Sequence, residues 1–165
     1  MNRPLFILPI LLLGSAPTLA NDADNMAAVT GMIETINERR LDDLGDYVAD
    51  NIVRHSAATP GVVVTNIDEF RAFLAADIAS TPDSVQEIQI IFGSGDFVAV
   101  RATLSATQTG QFGPFPPSGK RMQIPFMCIL RIDNGKVAEI WVEWDNLNAL
   151  VQLGHFQPPG ETVEQ

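Results

Sequence analysis

Asp145 is the first candidate for chemistry, because it stands beside two tryptophans in the segment EIWVEWDNLNALVQLG, residues 139–154. In a strand, side-chain alternation places Asp145 on the same face as Trp141 and Glu143, and Trp144 on the opposite face. A carboxyl group next to an indole in a dry pocket has a raised pKa, because desolvation penalises the anion. Asp145 is therefore a candidate acid or base for proton transfer near neutral pH.

Asp145 also has a purely structural interpretation. Aspartate is a preferred N-cap, and Asp145 directly precedes the helix-like run NLNALVQLG. Its carboxylate would then accept backbone N–H groups of the first helical turn and stay ionised. From composition and spacing alone, capping is the better supported interpretation, because caps outnumber catalytic aspartates.

Four further side chains are candidates for the binding site: His55, Tyr47, Arg101 and Trp141. His55 follows the second predicted helix and could reach the mouth of a pocket, and Trp141 shares its strand face with Asp145. A donor such as Tyr47, Arg101 or His55 would stabilise the enolate that forms when a carboxylate removes a proton next to a carbonyl. Each also has an ordinary alternative, since a lone histidine is more often a hydrogen-bonded structural residue and an arginine is often a surface charge.

The sequence contains no recognisable metal or cofactor motif. His55 and His155 are a hundred residues apart, and neither belongs to an HxH or HExxH pattern. A GxSxG elbow, a phosphate-binding loop and a dinucleotide fingerprint are all missing, so no cofactor is predicted. Cys128 is the only cysteine and alternates with apolar neighbours, which predicts a buried structural thiol and not a nucleophile.

The elements that must position these residues change from predicted helices to predicted strands half-way along the chain. Apolar residues recur at steps of three and four over residues 23–40, a short second helix fits 41–49, and a third begins at the N-cap Asn66 and ends near Pro82. The later segments alternate apolar and polar residues, as half-buried strands do. These segments are residues 85–92, 97–108, 120–132 and 136–144.

The turns GSGD and DNGK join the strands into two antiparallel hairpins, and Asn134-Gly135 is a strong type I′ signal. The order predicts an α+β domain in which three N-terminal helices pack on a curved antiparallel sheet and enclose a conical pocket. Between the hairpins lies QFGPFPPSGK, a Gly/Pro-rich loop of the kind that often rims a binding site, although most such loops are only connectors.

The first twenty residues have the features of a secretory signal: a basic Arg3, an apolar run over residues 5–13 and small residues before Asn21. An uncleaved anchor is the alternative, although the apolar run is shorter than the ~20 residues that span a bilayer. We expect a secreted or periplasmic protein with one domain, residues 21–165. Without Arg3, nine basic and twenty acidic residues give a formal charge of −11, which disfavours nucleic acid and membrane-surface partners.

The closing segment DNGKVAEIWVEWDNLNALVQLG resembles the C-terminal signature of the SnoaL-like polyketide cyclases, also called ester cyclases, within the nuclear transport factor 2-like superfamily. YVADNIVRHS, IDEFRAFL and FGPFPPSGKRMQIP support the resemblance, which extends from Met26 to Pro159. It implies a cone-shaped α+β fold with a deep pocket. It also implies that Asp145 serves as general acid/base in an intramolecular aldol closure of a polyketide ester, without metal or cofactor. Trp141 matches the motif as a pocket wall, and His55 matches a family histidine without an assigned role.

The sequence and the resemblance together predict an exported protein that binds a small apolar or amphipathic molecule, with Asp145 as the candidate acid/base for aldol cyclisation, isomerisation or hydration. Export departs from the family, whose cyclases act on intermediates inside the cell, so a different substrate is expected. The alternatives are a non-catalytic carrier or sensor and an interaction module, and a homodimer is compatible with all three. No second catalytic group can be placed, since residues 120–132 offer Gln123 and Arg131 but no histidine.

Overall fold

The computed structural model describes residues 19–157, so all but the last two residues of the predicted signal sequence lie outside the described part. The helices are α1 (Leu19–Asn37), α2 (Ile67–Ser80) and α3 (Asn146–Leu153). The strands are β1 (Val48–His55), β2 (Val85–Ser94), β3 (Phe97–Thr107), β4 (Arg121–Asp133) and β5 (Lys136–Trp144), and a 3₁₀ helix spans Leu41–Asp46. None of the helices in residues 19–157 is long and apolar enough to cross a membrane.

The five strands form one sheet in the order β1-β5-β4-β3-β2. The two predicted hairpins are confirmed, and Asn134 and Gly135 have φ values of 50° and 75°, the positive values that a type I′ turn requires. Strand β1 is an addition to the expected sheet, because the sequence predicts a helix over residues 41–49 and no strand before residue 85. Its pairing with β5 is parallel, so the sheet is mixed.

Two features explain why β1 is difficult to recognise. Its first half carries the polar pair Asp50 and Asn51, and its register with β5 shifts between Val48 and Val53, so a clean alternation of apolar residues is missing. A parallel neighbour is also far away in the sequence, and no turn motif announces it.

The hydrophobic core lies between the concave face of the sheet and the helices α1 and α2. Val29, Ile33 and Ile36 of α1 are buried, as the helical spacing predicts. Register shifts in the β2–β3 and β4–β5 pairs are irregularities of the kind that bend a sheet. The predicted α+β fold is confirmed, and the sheet curves without closing into a barrel.

Side-chain hydrogen bonds fix the helices against the sheet. The amide of Asn37 donates to the backbone carbonyl of Gln86 at 2.9 Å and accepts the backbone N–H of the same residue at 2.8 Å, which holds the end of α1 against β2. Asn66 accepts the N–H of Glu69 at 2.9 Å, so the predicted N-cap of α2 is confirmed. The first contact joins α1 to the sheet, and the second fixes where α2 begins.

Candidate functional site

An inner cavity of about 190 Å³ lies between α1, α2 and the concave face of the sheet. Alternate residues of β4, from Met122 to Leu130, face it, as do Ile140, Val142 and Trp144 of β5. The period of a strand explains this arrangement, because every second side chain points to the same face. Among the described residues that line the cavity, only Arg54 and Asp77 are charged.

Arg54 enters the cavity from β1 and is only 8% exposed. Its guanidinium carbon lies 4.3 Å from the ring centroid of Phe73 and 5.8 Å from that of Trp144, so two aromatic side chains hold the cation. Its Nη1 donates to the hydroxyl of Thr59 at 2.9 Å. Burial lowers the pKa of Arg54, and the nearby charges of Asp77 and Glu143 oppose that shift. An arginine with these partners remains a cation.

Asp77 faces the same cavity from α2. Protein surrounds much of its carboxyl group, although the residue keeps accessible surface. Burial raises the pKa of Asp77 to about 6, and the positive charge of Arg54 acts in the opposite direction. A carboxyl group with such a pKa changes protonation state near neutral pH, which is the condition for a general acid or base.

An outer cavity of about 490 Å³ adjoins the inner one. Its walls are the segment 58–62, the Gly/Pro-rich loop over residues 111–115, and parts of α2 and α3. Phe73, Asp77 and Trp144 line both cavities, so Asp77 stands where they meet. The Gly/Pro-rich loop therefore lies beside the cavities, as its predicted role as a rim requires.

A buried amide holds this loop in place. Gln108 has no exposed surface, and its Nε2 donates to the carbonyls of Gly110 and Pro116 at 3.2 and 2.9 Å. Its Oε1 lies 2.7 Å from Nε2 of His155, whose ring stacks on Phe115 with the centroids 4.9 Å apart. The segment after α3 is thus tied to the wall of the outer cavity.

The family model described as SnoaL-like polyketide cyclase matches residues 26–153. The chain belongs to this family. The match covers most of α1 and all of the sheet, α2 and α3, so it includes every helix and strand that lines the two cavities. No curated protein matches the sequence.

Solved structures agree with the SnoaL-like assignment. AclR, a hydroxylase candidate from Streptomyces galilaeus, is 27% identical with a TM-score of 0.71 over 82% of this chain and 98% of its own. IdmH, a polyketide cyclase candidate from Streptomyces antibioticus, is 25% identical with a TM-score of 0.69 over 79% and 98%. An LEH-like epoxide hydrolase from M. tuberculosis shares the fold at 14% identity, with a TM-score of 0.64 over 81% and 92%.

Asp145 lies at the junction of β5 and α3, and it lines neither cavity of this SnoaL-like domain. Its carboxylate accepts the N–H of Asn148 at 2.9 Å, so it is the N-cap of α3. Asp145 therefore occupies the N-cap position that the structural interpretation of the sequence predicts. The acid/base role stays a prediction, and the geometry does not bring the carboxylate into the cavity.

His55 and Trp141 meet on the outer face of the sheet, away from both cavities. Their rings stack with centroids 5.3 Å apart and planes at 13°. Nε2 of His55 lies 2.8 Å from Glu139, which also accepts from Nε of Arg131 at 3.1 Å. Hydrogen bonds from His55 and Arg131 lower the pKa of Glu139, so this carboxylate stays ionised. The two predicted site residues are brought together, but on the convex surface.

Tyr47 and Arg101 lie apart from this pair and from each other. Tyr47 packs against Gly31 of α1, whose missing side chain makes room for the ring. Arg101 is exposed on β3 and makes a long contact of 3.4 Å with Gln89. Cys128 is buried, as predicted, and burial raises its pKa to about 12. Within residues 19–157, no three His, Cys, Asp or Glu side chains cluster as metal ligands.

Sequence reasoning missed Arg54 and Asp77, although both carry a signal. Asp77 stands at position i+7 from Phe70, in the helical stripe that also contains Phe73, Leu74 and Ile78. A charged residue in an apolar stripe must face a partner or a cavity. Arg54 follows Ile52 by two residues on β1, which places a cation on the buried face of a strand.

Proposed function

We propose that this SnoaL-like domain binds a small, largely apolar molecule in the inner cavity and transfers a proton to or from it without a cofactor, with Asp77 as the acid/base. The observation that carries the proposal is the Asp77 carboxyl, which opens onto an apolar cavity and has a pKa raised to about 6. A base of this pKa is ionised at neutral pH yet still able to return the proton.

The reaction class is proton abstraction next to a carbonyl. The carboxylate of Asp77 takes a proton from the carbon beside the carbonyl, and the electron pair of that C–H bond becomes the enolate. Returning the proton to another carbon isomerises the ligand. Attack of the enolate on a second carbonyl of the same molecule instead closes a ring, and the new alkoxide oxygen takes the proton back from Asp77. Exclusion of water by the aromatic and aliphatic walls strengthens both the charge interactions and the selectivity for these outcomes.

The experiment uses 2-tetralone, a small bicyclic ketone, as the probe. Exchange of its α-protons in D₂O is followed by NMR with the native sequence, Asp77→Asn and Asp145→Asn. We expect the native protein to accelerate the exchange. The exchange rate should fall at least about tenfold in Asp77→Asn and stay at the native value in Asp145→Asn. Loss in Asp145→Asn with full activity in Asp77→Asn would overturn the assignment in favour of the role that the family resemblance implies for Asp145.

The same experiment separates catalysis from the carrier alternative. A carrier or sensor binds 2-tetralone, which calorimetry detects, but leaves its exchange rate at the uncatalysed value in all three proteins. The outer cavity, which is larger than the inner one, supports this second candidate, since it offers room for an occupant that stays outside the inner cavity.

We also propose that the protein is a homodimer that pairs through the outer face of the sheet. Phe92, Ile129 and Trp141 lie in one cross-strand row, and they are 60%, 51% and 37% exposed. Met127, at 66%, extends this apolar patch. A monomer rarely exposes so many large apolar side chains side by side, and a second copy would cover them.

The export predicted from residues 1–20 is likewise a proposal. The basic Arg3, the apolar run and the small residues before Asn21 support it. Mass spectrometry of the protein recovered from the periplasm or medium of an expressing bacterium tests it, and a mature chain that begins at Asn21 is expected. Recovery of full-length protein from the cytoplasm alone would contradict it.

A further inference from the structure

We propose that Arg54 is the anchor for the polar end of the ligand, and that the cavity selects apolar molecules bearing one anionic oxygen, a carboxylate or an enolate, beside an apolar body. The inference rests on the proposed small-molecule binding and adds the chemical class of the ligand. It concerns a residue that touches the ligand without exchanging a proton with it.

The guanidinium of Arg54 is held in one orientation. Phe73 lies against one part of it, Trp144 lies farther away at 5.8 Å, and Thr59 takes the hydrogen bond from Nη1. A side chain fixed in this way loses little conformational entropy when it receives an anion, which favours tight binding. The planar fork of N–H groups also matches the geometry of a carboxylate, which can accept two hydrogen bonds in parallel.

The donors needed for this contact are available. Within residues 19–157, no group accepts a hydrogen bond from Nε or Nη2 of Arg54. These nitrogens are also not sealed off, because in the described part of the chain only the hydroxyl of Thr35 is both fully enclosed and without a partner. The free donors of Arg54 therefore have access to the cavity. Donors that are mostly removed from water gain more from an oxygen acceptor than exposed ones do.

The charges around Arg54 leave room for an anion. No carboxylate of the described residues forms an ion pair with it within 4.0 Å, although the fields of Asp77 and Glu143 reach it. The oxygens of Glu143 already accept the N–H groups of Ala57 and Ala58, at 2.7 and 3.1 Å. Asp77 is a neutral acid in part of the population, and in that form Arg54 is the uncompensated charge of the cavity. Cys128, the remaining titratable group of the lining, is a neutral thiol.

This arrangement also explains how a proton transfer at Asp77 could produce a stable anion. The negative charge that leaves the C–H bond collects on the carbonyl oxygen, and a fixed cation at that oxygen lowers the energy of the enolate more than that of the neutral ketone. Arg54 and Asp77 approach the cavity from a strand and from a helix, so one ligand can meet both.

The experiment compares 2-naphthoate with 2-naphthamide, which have the same ring system and similar shape but differ in charge. Calorimetry at about pH 5.5, where Asp77 is largely neutral and the naphthoate is ionised, gives both dissociation constants. We expect the native protein to bind the naphthoate at least about tenfold more tightly. In Arg54→Met, which keeps an apolar chain between the two rings, this preference should vanish while naphthamide binding changes less than about threefold.

Arg54→Lys is the second variant, since it keeps the charge and loses the planar fork, and it should retain part of the preference. Equal binding of the two probes by the native protein would overturn the inference, as would an undiminished preference in Arg54→Met. If Arg54→Met does not fold, the inference is tested by the preference of the native protein for the naphthoate and by its partial retention in Arg54→Lys. Failure of both probes to bind the native protein would instead refute the proposed small-molecule binding itself.

Discussion

Trp141 and Trp144, three residues apart on β5, lie on opposite faces of the sheet. The ring of Trp141 stacks on His55 outside, with the centroids 5.3 Å apart, and the ring of Trp144 lies 5.8 Å from the guanidinium carbon of Arg54 inside. The two indoles within the closing motif therefore belong to different surfaces, and only Trp144 adjoins the cavities.

These two are the only tryptophans of the chain, so each can be observed separately in the variant that lacks the other. We expect 2-naphthoate to change the fluorescence of Trp144 in Trp141→Phe, because the ligand lies next to that indole. Trp141 in Trp144→Phe should show no change at the same degree of saturation, which calorimetry establishes. A response from Trp141 and none from Trp144 would place the ligand on the outer face.

Asp77→Asn should alter how stability depends on pH. The pKa of Asp77 is raised in the folded state, so the folded protein binds the proton more tightly, and its stability falls as pH rises from about 4 to about 6. Above that window the loss is complete, and Asp77→Asn should be more stable there by ~1 kcal/mol, well below the full shift because solvent screens the accessible part of Asp77. Urea unfolding between about pH 4 and 8 measures this difference.

Asp83→Asn is the control, because the contribution of Asp83 to stability changes with pH in the opposite direction. Hydrogen bonds from the N–H and hydroxyl of Thr107 lower the pKa of Asp83, so its stabilising effect is present above the ordinary pKa and lost as pH falls through the lowered one. Removing it should therefore destabilise the protein at neutral pH only. If Asp77→Asn shows the same pH profile as the native protein, the pKa of Asp77 is not raised in the folded state.

Substitutions at Asp145 should separate its cap from any role in catalysis. Asparagine is as good an N-cap as aspartate, so Asp145→Asn is expected to keep the stability of the native protein within a few tenths of a kcal/mol. Asp145→Ala should lose about 1 kcal/mol, because the N–H of Asn148 loses its acceptor. Thermal unfolding of both variants tests this. Equal stability of Asp145→Ala and the native protein would contradict the cap.

Met127→Lys should convert the proposed dimer to a monomer. The side chain lies between Arg101 of β3 and Glu143 of β5 in the sheet, and at 66% exposure a lysine there does not disturb the core. Burying its charge against a second copy would raise the dissociation constant at least about tenfold. Sedimentation of the native protein, Met127→Lys and the control Gln123→Lys, whose residue lies near the end of the same strand, measures the effect. A native monomer would refute the dimer.

The elements predicted from the sequence are those with a regular period or a strong local motif. The stripe of α1, the cap of α2 and the Asn134-Gly135 turn depend on neighbours only a few residues apart, so local physics determines them. Strand β1 depends on β5, more than eighty residues later, and its own polar start hides it. Its parallel pairing could not follow from either segment alone.

The candidate site was harder to predict for a related reason. Side-chain alternation correctly groups Asp145 with Trp141, but it does not state which face of β5 turns inward. The face of Trp141 also carries the charged Glu139 and Glu143. The face of Trp144 carries the apolar Ile140 and Val142, and this difference indicates that Trp144 is on the inner face. Asp77 is similar, because its apolar stripe predicts burial, and only the assembled helices and sheet show that the stripe borders a cavity.

The walls of the two cavities differ in how freely they can change. The inner cavity is bounded by the sheet and helices, where any substitution disturbs residues that also hold the core together. The outer cavity is bounded largely by two surface segments, residues 58–62 and 111–115, which hydrogen bonds from Arg54, Asn146 and Gln108 and to Glu143 help to hold in place. Thr59 and Phe112 of these segments also line the inner cavity. Exchange of the other residues between family members would therefore alter which molecules enter and keep the walls around Arg54 and Asp77, so the entrance of the domain can be re-engineered separately from its interior.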